Sequence, residues 1–211
     1  MDLERKEKIE RIGQVGEKII RNYLSRLKGV RVEDSINVFD SEKDAVIEVE
    51  VSEVEEDDSD SATIRATYIN EDGKTVVLKI IEIKTCTPYI DKKAVTIRKK
   101  QLTKCKSVDE LYFVTVPYKG FYYKYSGWIL KIDPKNFEGE SYPKKDSKEP
   151  SGVRYMYAIP VAQKATTRIR KLYKSELREL LRFSTQKLTQ QDIEDLVEEY
   201  GDEDPVRTMV R

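Results

Sequence analysis

Two charged residues interrupt the apolar stretch Val76–Thr85, "VVLKIIEIKT": Glu82 and Lys84. Valine and isoleucine dominate it, which predicts a β-strand. Residues two apart on a strand share a face, so Glu82 and Lys84 stand side by side in line with Leu78 and Ile80. Acid-x-lysine triplets also occur at Glu4–Lys6, Asp72–Lys74, Asp91–Lys93, Asp133–Lys135 and Asp146–Lys148, all in polar or turn-like surroundings. Only Glu82–Lys84 lies in an apolar strand. A charge at a partly buried strand end costs free energy unless it is paired or bound. A carboxylate there can ligate a hard cation, and a neighbouring lysine can hold a water or a phosphate oxygen. The competing reading is a salt bridge at a sheet edge.

The chain has no histidine. That excludes serine–histidine triads, cysteine–histidine pairs and histidine-bound metals, and leaves carboxylates, lysines, hydroxyls and backbone groups for any chemistry. A metal site needs more than one carboxylate. Asp44, opening the alternating stretch "DAVIEVEV", is the best second candidate if its strand pairs with that of Glu82, and Asp34 and Asp40 lie close by.

These residues need elements to position them. Apolar spacings of three and four predict a helix over about 3–27, with Gly29 as its stop. Strands are expected over 31–40, 44–51, 61–69 and 74–85, with the acidic run Glu48–Asp60 as a solvated loop or hairpin tip. A helix is expected over 92–108, with Val95, Leu102 and Val108 among its apolar positions. "ELYFVTVPY", the end of the aromatic-rich "YKGFYYKYSGWILKI" and "VRYMYAIPV" read as further strands. Pro134, Pro143, Pro150, Gly139 and Gly152 make 133–152 read as a long surface loop. From about Thr166 the chain reads as helical, closing on "LTQQDIEDLVEEYG" with Thr189 as cap, Asp192 three residues on and Gly201 as stop. The order predicts an α/β chain built on one sheet.

A helix bearing Glu17 in "GQVGEKIIRNYL", then Asp44 in "SEKDAVIEV", then Glu82 and Lys84 in "IIEIKT", then a helix containing "RKKQLTKC": this resembles the PD-(D/E)XK nuclease superfamily. The glycine-preceded Glu17 particularly resembles archaeal Holliday-junction resolvases. The resemblance implies a central mixed β-sheet flanked by helices in the order α-β-β-β-α-β. The resemblance covers roughly residues 10–132. The chain as a whole reads as a nuclease-like domain over 1–163, with an inserted acidic hairpin at about 50–75, and a helical extension over 164–211 packed on it. The resemblance further implies that Asp44, Glu82 and the Ile83 carbonyl hold Mg²⁺ or Mn²⁺, that Lys84 handles the attacking water, and that Glu17 adds a ligand. The expected activity is hydrolysis of DNA phosphodiesters, on branched or four-way junction DNA, by a homodimer. The rivals are a DNA-binding protein without cleavage and a nuclease acting on ends or plain duplex.

Basic residues after the site strand supply the phosphate contacts such an activity needs: Arg98, Lys99, Lys100 and Lys104, with Gln101 among them as the family's glutamine. The aromatics around Tyr122 read as core or dimer contacts, with base stacking as the alternative.

Composition bounds the rest. The 211 residues allow one substantial core plus an extension. Charged residues are 37% of the chain, with 39 cationic and 39 anionic, so charge is segregated rather than unbalanced. The Lys/Glu-heavy make-up resembles hyperthermophile proteins and suits an archaeal virus. No apolar run is long enough to span a membrane, and the charged N-terminus is unlike a signal peptide, so a cytoplasmic protein is expected. Cys86 and Cys105 are expected to be free thiols.

Overall fold

The computed structural model describes residues 3–27, 30–31, 61–69, 76–88, 93–145 and 150–205. Helix α1, Leu3–Leu24, is followed by strands β1, Val30–Arg31, β2, Ser61–Ile69, and β3, Val76–Cys86. Next come β4, Ala94–Arg98, a 3-10 turn, Lys99–Gln101, helix α2, Leu102–Ser107, and β5, Glu110–Thr115. The chain continues through β6, Trp128–Ile132, β7, Glu140–Lys145, β8, Val153–Pro160, and β9, Thr166–Lys171. Helices α3, Lys174–Arg182, and α4, Gln190–Tyr200, close it.

The strands form two sheets, not one. The main sheet has the order β1-β2-β3-β5-β6-β9, and a smaller one the order β4-β8-β7. Neighbours in the main sheet are antiparallel except β3 and β5, which run parallel. The main sheet is therefore mixed and the class is α/β. No helix among the described residues is long and apolar enough to cross a membrane.

Strand alternation sorts the core into two layers. Ile64, Ile81, Ile83, Tyr112 and Val114 point to one face, where Val15, Ile19, Ile20 and Leu24 of α1 meet the apolar sides of α3 and α4. Leu111, Phe113, Leu130 and Ile132 point to the other, where Val95, Ile97, Ile159 and Cys105 cover them. Both cysteines are free thiols.

Three expected elements are corrected. The helix over 92–108 is a strand, a 3-10 turn and a short helix: Val95, Thr96 and Ile97 are consecutive β-branched residues, and Val95 and Ile97 fill the second core layer. The loop over 133–152 contains β7, an edge strand that accommodates Pro143 because one side needs no ladder bonds. The helical extension from 164 begins with β9, whose residues Thr166–Lys171 add the last strand to the main sheet. Leu172, Leu177, Leu180, Ile193 and Val197 then share a core with α1, so this segment completes the main layer rather than decorating it. The cap at Thr189 forms as expected: its Oγ1 accepts from the Asp192 N–H at 3.2 Å, and the Asp192 carboxylate accepts from the Thr189 N–H at 2.8 Å.

Part of the expected acidic hairpin at 50–75 is likewise a main-sheet strand. β2 pairs along β3 from Ser61↔Lys84 to Ile69↔Val76.

A buried carboxylate on the α1 side fixes the start of β5. Glu110 accepts from Lys79 at 2.7 Å and from the Tyr112 hydroxyl at 2.8 Å, and Lys131 Nζ lies 2.8 Å away. Burial is the strongest single influence and opposes its charge, but Lys131, Lys79 and Tyr112 together outweigh it and hold the carboxyl at about 2. A folded-state pKa below the unfolded one gives stability that is present above the unfolded value, near 4.5, and is lost as pH falls toward 2. The expected loss between pH 5 and pH 2 is about 3 kcal/mol from this group. Urea unfolding across that window should show a smaller fall for Glu110→Gln than for the wild type; parallel curves would refute the assignment.

Candidate active site

Glu82 and Lys84 lie on β3, an interior strand, and form a salt bridge with each other there, away from the sheet edge. At the level of Ile83, β3 is flanked by Ala62 of β2 and Tyr112 of β5. The alternation that sends Ile81 and Ile83 toward α1 sends Glu82 and Lys84 to the opposite face, with the second sheet and α2. There Glu82 is 0% exposed and Lys84 3%. The Lys84 ammonium lies 3.1 Å from Glu82 Oε1, a pair made within one strand. The other carboxylate oxygen, Oε2, lies 3.5 Å from the ammonium of Lys104 on α2. Lys104 is 38% exposed and connects the buried pair to the surface. Among the described residues, both carboxylate oxygens of Glu82 thus face ammonium groups.

The other expected residues divide. Ile83 is where the reading puts it, between Glu82 and Lys84, with its side chain in the α1 core. Glu17 lies on α1, which packs on the opposite face of the sheet, and its Oε1 accepts from Arg21 Nε at 2.7 Å. The structure thus engages Glu17 within its own helix rather than with Glu82. Gln101 is buried and its Oε1 accepts from the Arg98 N–H at 3.3 Å, so it shapes the 3-10 turn instead of facing DNA. Lys99 and Lys100 are exposed beside it. The aromatic stretch splits: Tyr123 and Tyr125 are buried with ring centroids 5.4 Å apart, while Phe121 and Tyr122 are exposed.

Asp44, Asp34 and Asp40 lie outside the described residues. The direct pairing that was to bring Asp44 to Glu82 is not available, because β2 and β5 occupy both edges of β3 around Glu82. β2 instead sets Thr63 opposite Glu82 and Ser61 opposite Lys84. In the sequence, Asp57, Asp58 and Asp60 end the acidic run just before Ser61. They also lie outside the described residues. The signal for them was present in the sequence: two strands joined by "NEDG" form a hairpin, so the partner of the Glu82 strand is "SATIRATYI" and the acids to weigh are those preceding it.

Glu82 supplies a hard carboxylate of the kind a divalent cation takes, with both of its oxygens facing ammonium groups that a cation would have to displace. Among the described residues no group of three acidic or cysteine side chains is close enough to hold a metal. A further carboxylate for Glu82 would have to come from outside the described residues, where Asp34, Asp40, Asp44 and the acids before Ser61 all lie. No protein-family model, curated protein or solved structure matches the chain.

Proposed function

We propose that this protein is a metal-dependent DNA endonuclease that hydrolyses phosphodiester bonds in branched or junction DNA, acting as a homodimer. The observation that carries the reading is the buried Glu82–Lys84 pair on the central strand, joined by Lys104 to a basic helix. The order α1, three antiparallel strands, α2 and a strand parallel to β3 supports it, since this is the order that the sequence resemblance implies. β4, inserted between β3 and α2, is an addition to that order.

Glu82 and a carboxylate from outside the described residues, Asp44 or one of the acids before Ser61, would hold Mg²⁺ or Mn²⁺. Such an ion supplies Lewis-acid neutralisation of the scissile phosphate. Lys84, whose ammonium lies 3.1 Å from Glu82, would orient the attacking water and a phosphate oxygen. Attack of that water makes one phosphorus–oxygen bond and breaks another. The 3′ oxygen leaves and takes a proton, giving a 5′-phosphate and a 3′-hydroxyl. Lys104 must give way for a phosphate to approach, because it covers one Glu82 oxygen.

A second reading is a DNA-binding protein without cleavage, favoured by one observation: both members of the pair are almost wholly buried and engaged with each other. Incubation with four-way junction, linear duplex and single-stranded DNA, in Mg²⁺, Mn²⁺ or EDTA, separates the two. Cleavage of the junction in Mg²⁺ and none in EDTA is expected. Binding with no cleavage under any metal would establish the second reading.

A further inference from the structure

The second sheet has an overhang. β4 accompanies β8 only from Pro160 to Met156, where Arg98 is the partner. β7 and β8 continue together through Tyr155↔Pro143, Arg154↔Lys144 and Val153↔Lys145. These three pairs form a two-stranded ribbon about 10 Å long. Lys144 and Lys145 are exposed on it. Tyr155 is 56% exposed, and the Lys99 ammonium lies over its ring at 5.7 Å. The 3-10 turn adjoins this ribbon, and α2 follows the turn in the chain. From Lys93 to Val108 the chain has six cationic residues and no acidic one. At the far end of that run Lys104 reaches Glu82. Cationic side chains thus lead from the ribbon to the buried pair, while the acids of the C-terminal part gather on α4 instead.

We propose that the β7–β8 overhang, with Lys99 and Lys100 beside it, is an arm that docks B-form duplex DNA next to the Glu82–Lys84 pair. The choice of a duplex beside that pair rests on the nuclease reading; the charged arm itself does not. Lys144, Lys145, Lys99 and Lys100 contact backbone phosphates, and Tyr155 packs against the sugar–phosphate wall. The B-DNA major groove, about 12 Å wide, admits a two-stranded ribbon, whereas the deep, narrow major groove of A-form RNA does not.

The test is fluorescence anisotropy of the full chain with a labelled DNA duplex, and with an RNA duplex of the same sequence, in EDTA from 50 to 200 mM salt. Lys144→Gln/Lys145→Gln and Lys99→Gln/Lys100→Gln should each lower the slope of log K against log salt by about 2, from about 0.9 per lost phosphate contact. The control Lys164→Gln/Lys187→Gln removes the same charge from exposed positions elsewhere and should leave the slope unchanged. Tyr155→Ala should weaken binding several-fold at every salt concentration with no change of slope. Equal slopes for arm and control variants, equal binding of RNA, or no duplex binding by the wild type at 50 mM salt would overturn the proposal. A reduced slope in a protein that never cleaves DNA would keep the arm and reject the nuclease. Cleavage with unaltered slopes would do the reverse.

Discussion

Glu82→Gln is expected to lower the unfolding free energy by about 3–5 kcal/mol, the cost of removing one member of a buried ion pair. Lys84, only 3% exposed, would lose the carboxylate 3.1 Å from its ammonium where solvent has little access to replace it. The converse change, Lys84→Met, should cost less. Glu82 would keep Lys104 at 3.5 Å, and that lysine is partly exposed, so it already holds much of its hydration. The double variant Glu82→Gln/Lys84→Met should recover most of the loss, because no unpaired buried charge survives in it. Urea unfolding of the four proteins gives the coupling energy directly. Two small and additive single effects would show that the pair is solvated and that the burial on which the site depends is absent.

Gly16→Ala should destabilise the protein by about 2–3 kcal/mol, the usual range for overpacking. The sign is the informative part. An alanine in mid-helix ordinarily gains about 1 kcal/mol over glycine. Here the added methyl would overlap Thr85 Oγ1, with the Thr85 Cβ at 3.1 Å behind it. α1 approaches β3 this closely only because residue 16 has no side chain. Thr85 follows Lys84, so the contact also sets the end of the strand that carries the candidate site. In a Thr85→Ala background most of the penalty should vanish, since the overlapping oxygen is gone. A thermal melt showing Gly16→Ala more stable than the wild type would contradict the packing of α1 on β3.

Local signals in the sequence were enough for several of these features. The β-branched run of β3, its two inward charges and the Thr189–Asp192 cap are all written within a few residues, and all take the expected form. Non-local pairing was harder to read. Nothing in "DAVIEVEV" says which strand it joins, and the more cleanly alternating segment was matched to Glu82 in place of "SATIRATYI", the neighbour that the hairpin requires. The second sheet was missed because its strands look like something else. Val95, Leu102 and Val108 fall at spacings that a helix tolerates. β7 is polar and contains a proline because it is an edge. β9, "TTRIRK", alternates threonine and isoleucine with arginine and lysine, which also reads as a solvated helix. Gln101 matches the glutamine that the family resemblance implies, and in the structure its side-chain oxygen accepts from the Arg98 N–H within the turn. The firm half of the site is therefore the half made by one strand, Glu82 and Lys84, and the second carboxylate depends on contacts between segments distant in the chain.

The measurement that reaches the central claim is single-turnover cleavage of a labelled four-way junction in Mg²⁺ by excess wild-type protein and by Glu82→Gln, at a temperature where both are folded. The prediction is cleavage by the wild type, leaving 5′-phosphate ends, and a rate lower by about 10³ or more in the variant, in line with losing a principal electrostatic group of an active site. DNA binding should be retained in both. Undiminished cleavage by Glu82→Gln, or wild-type cleavage that persists in EDTA, would contradict the account.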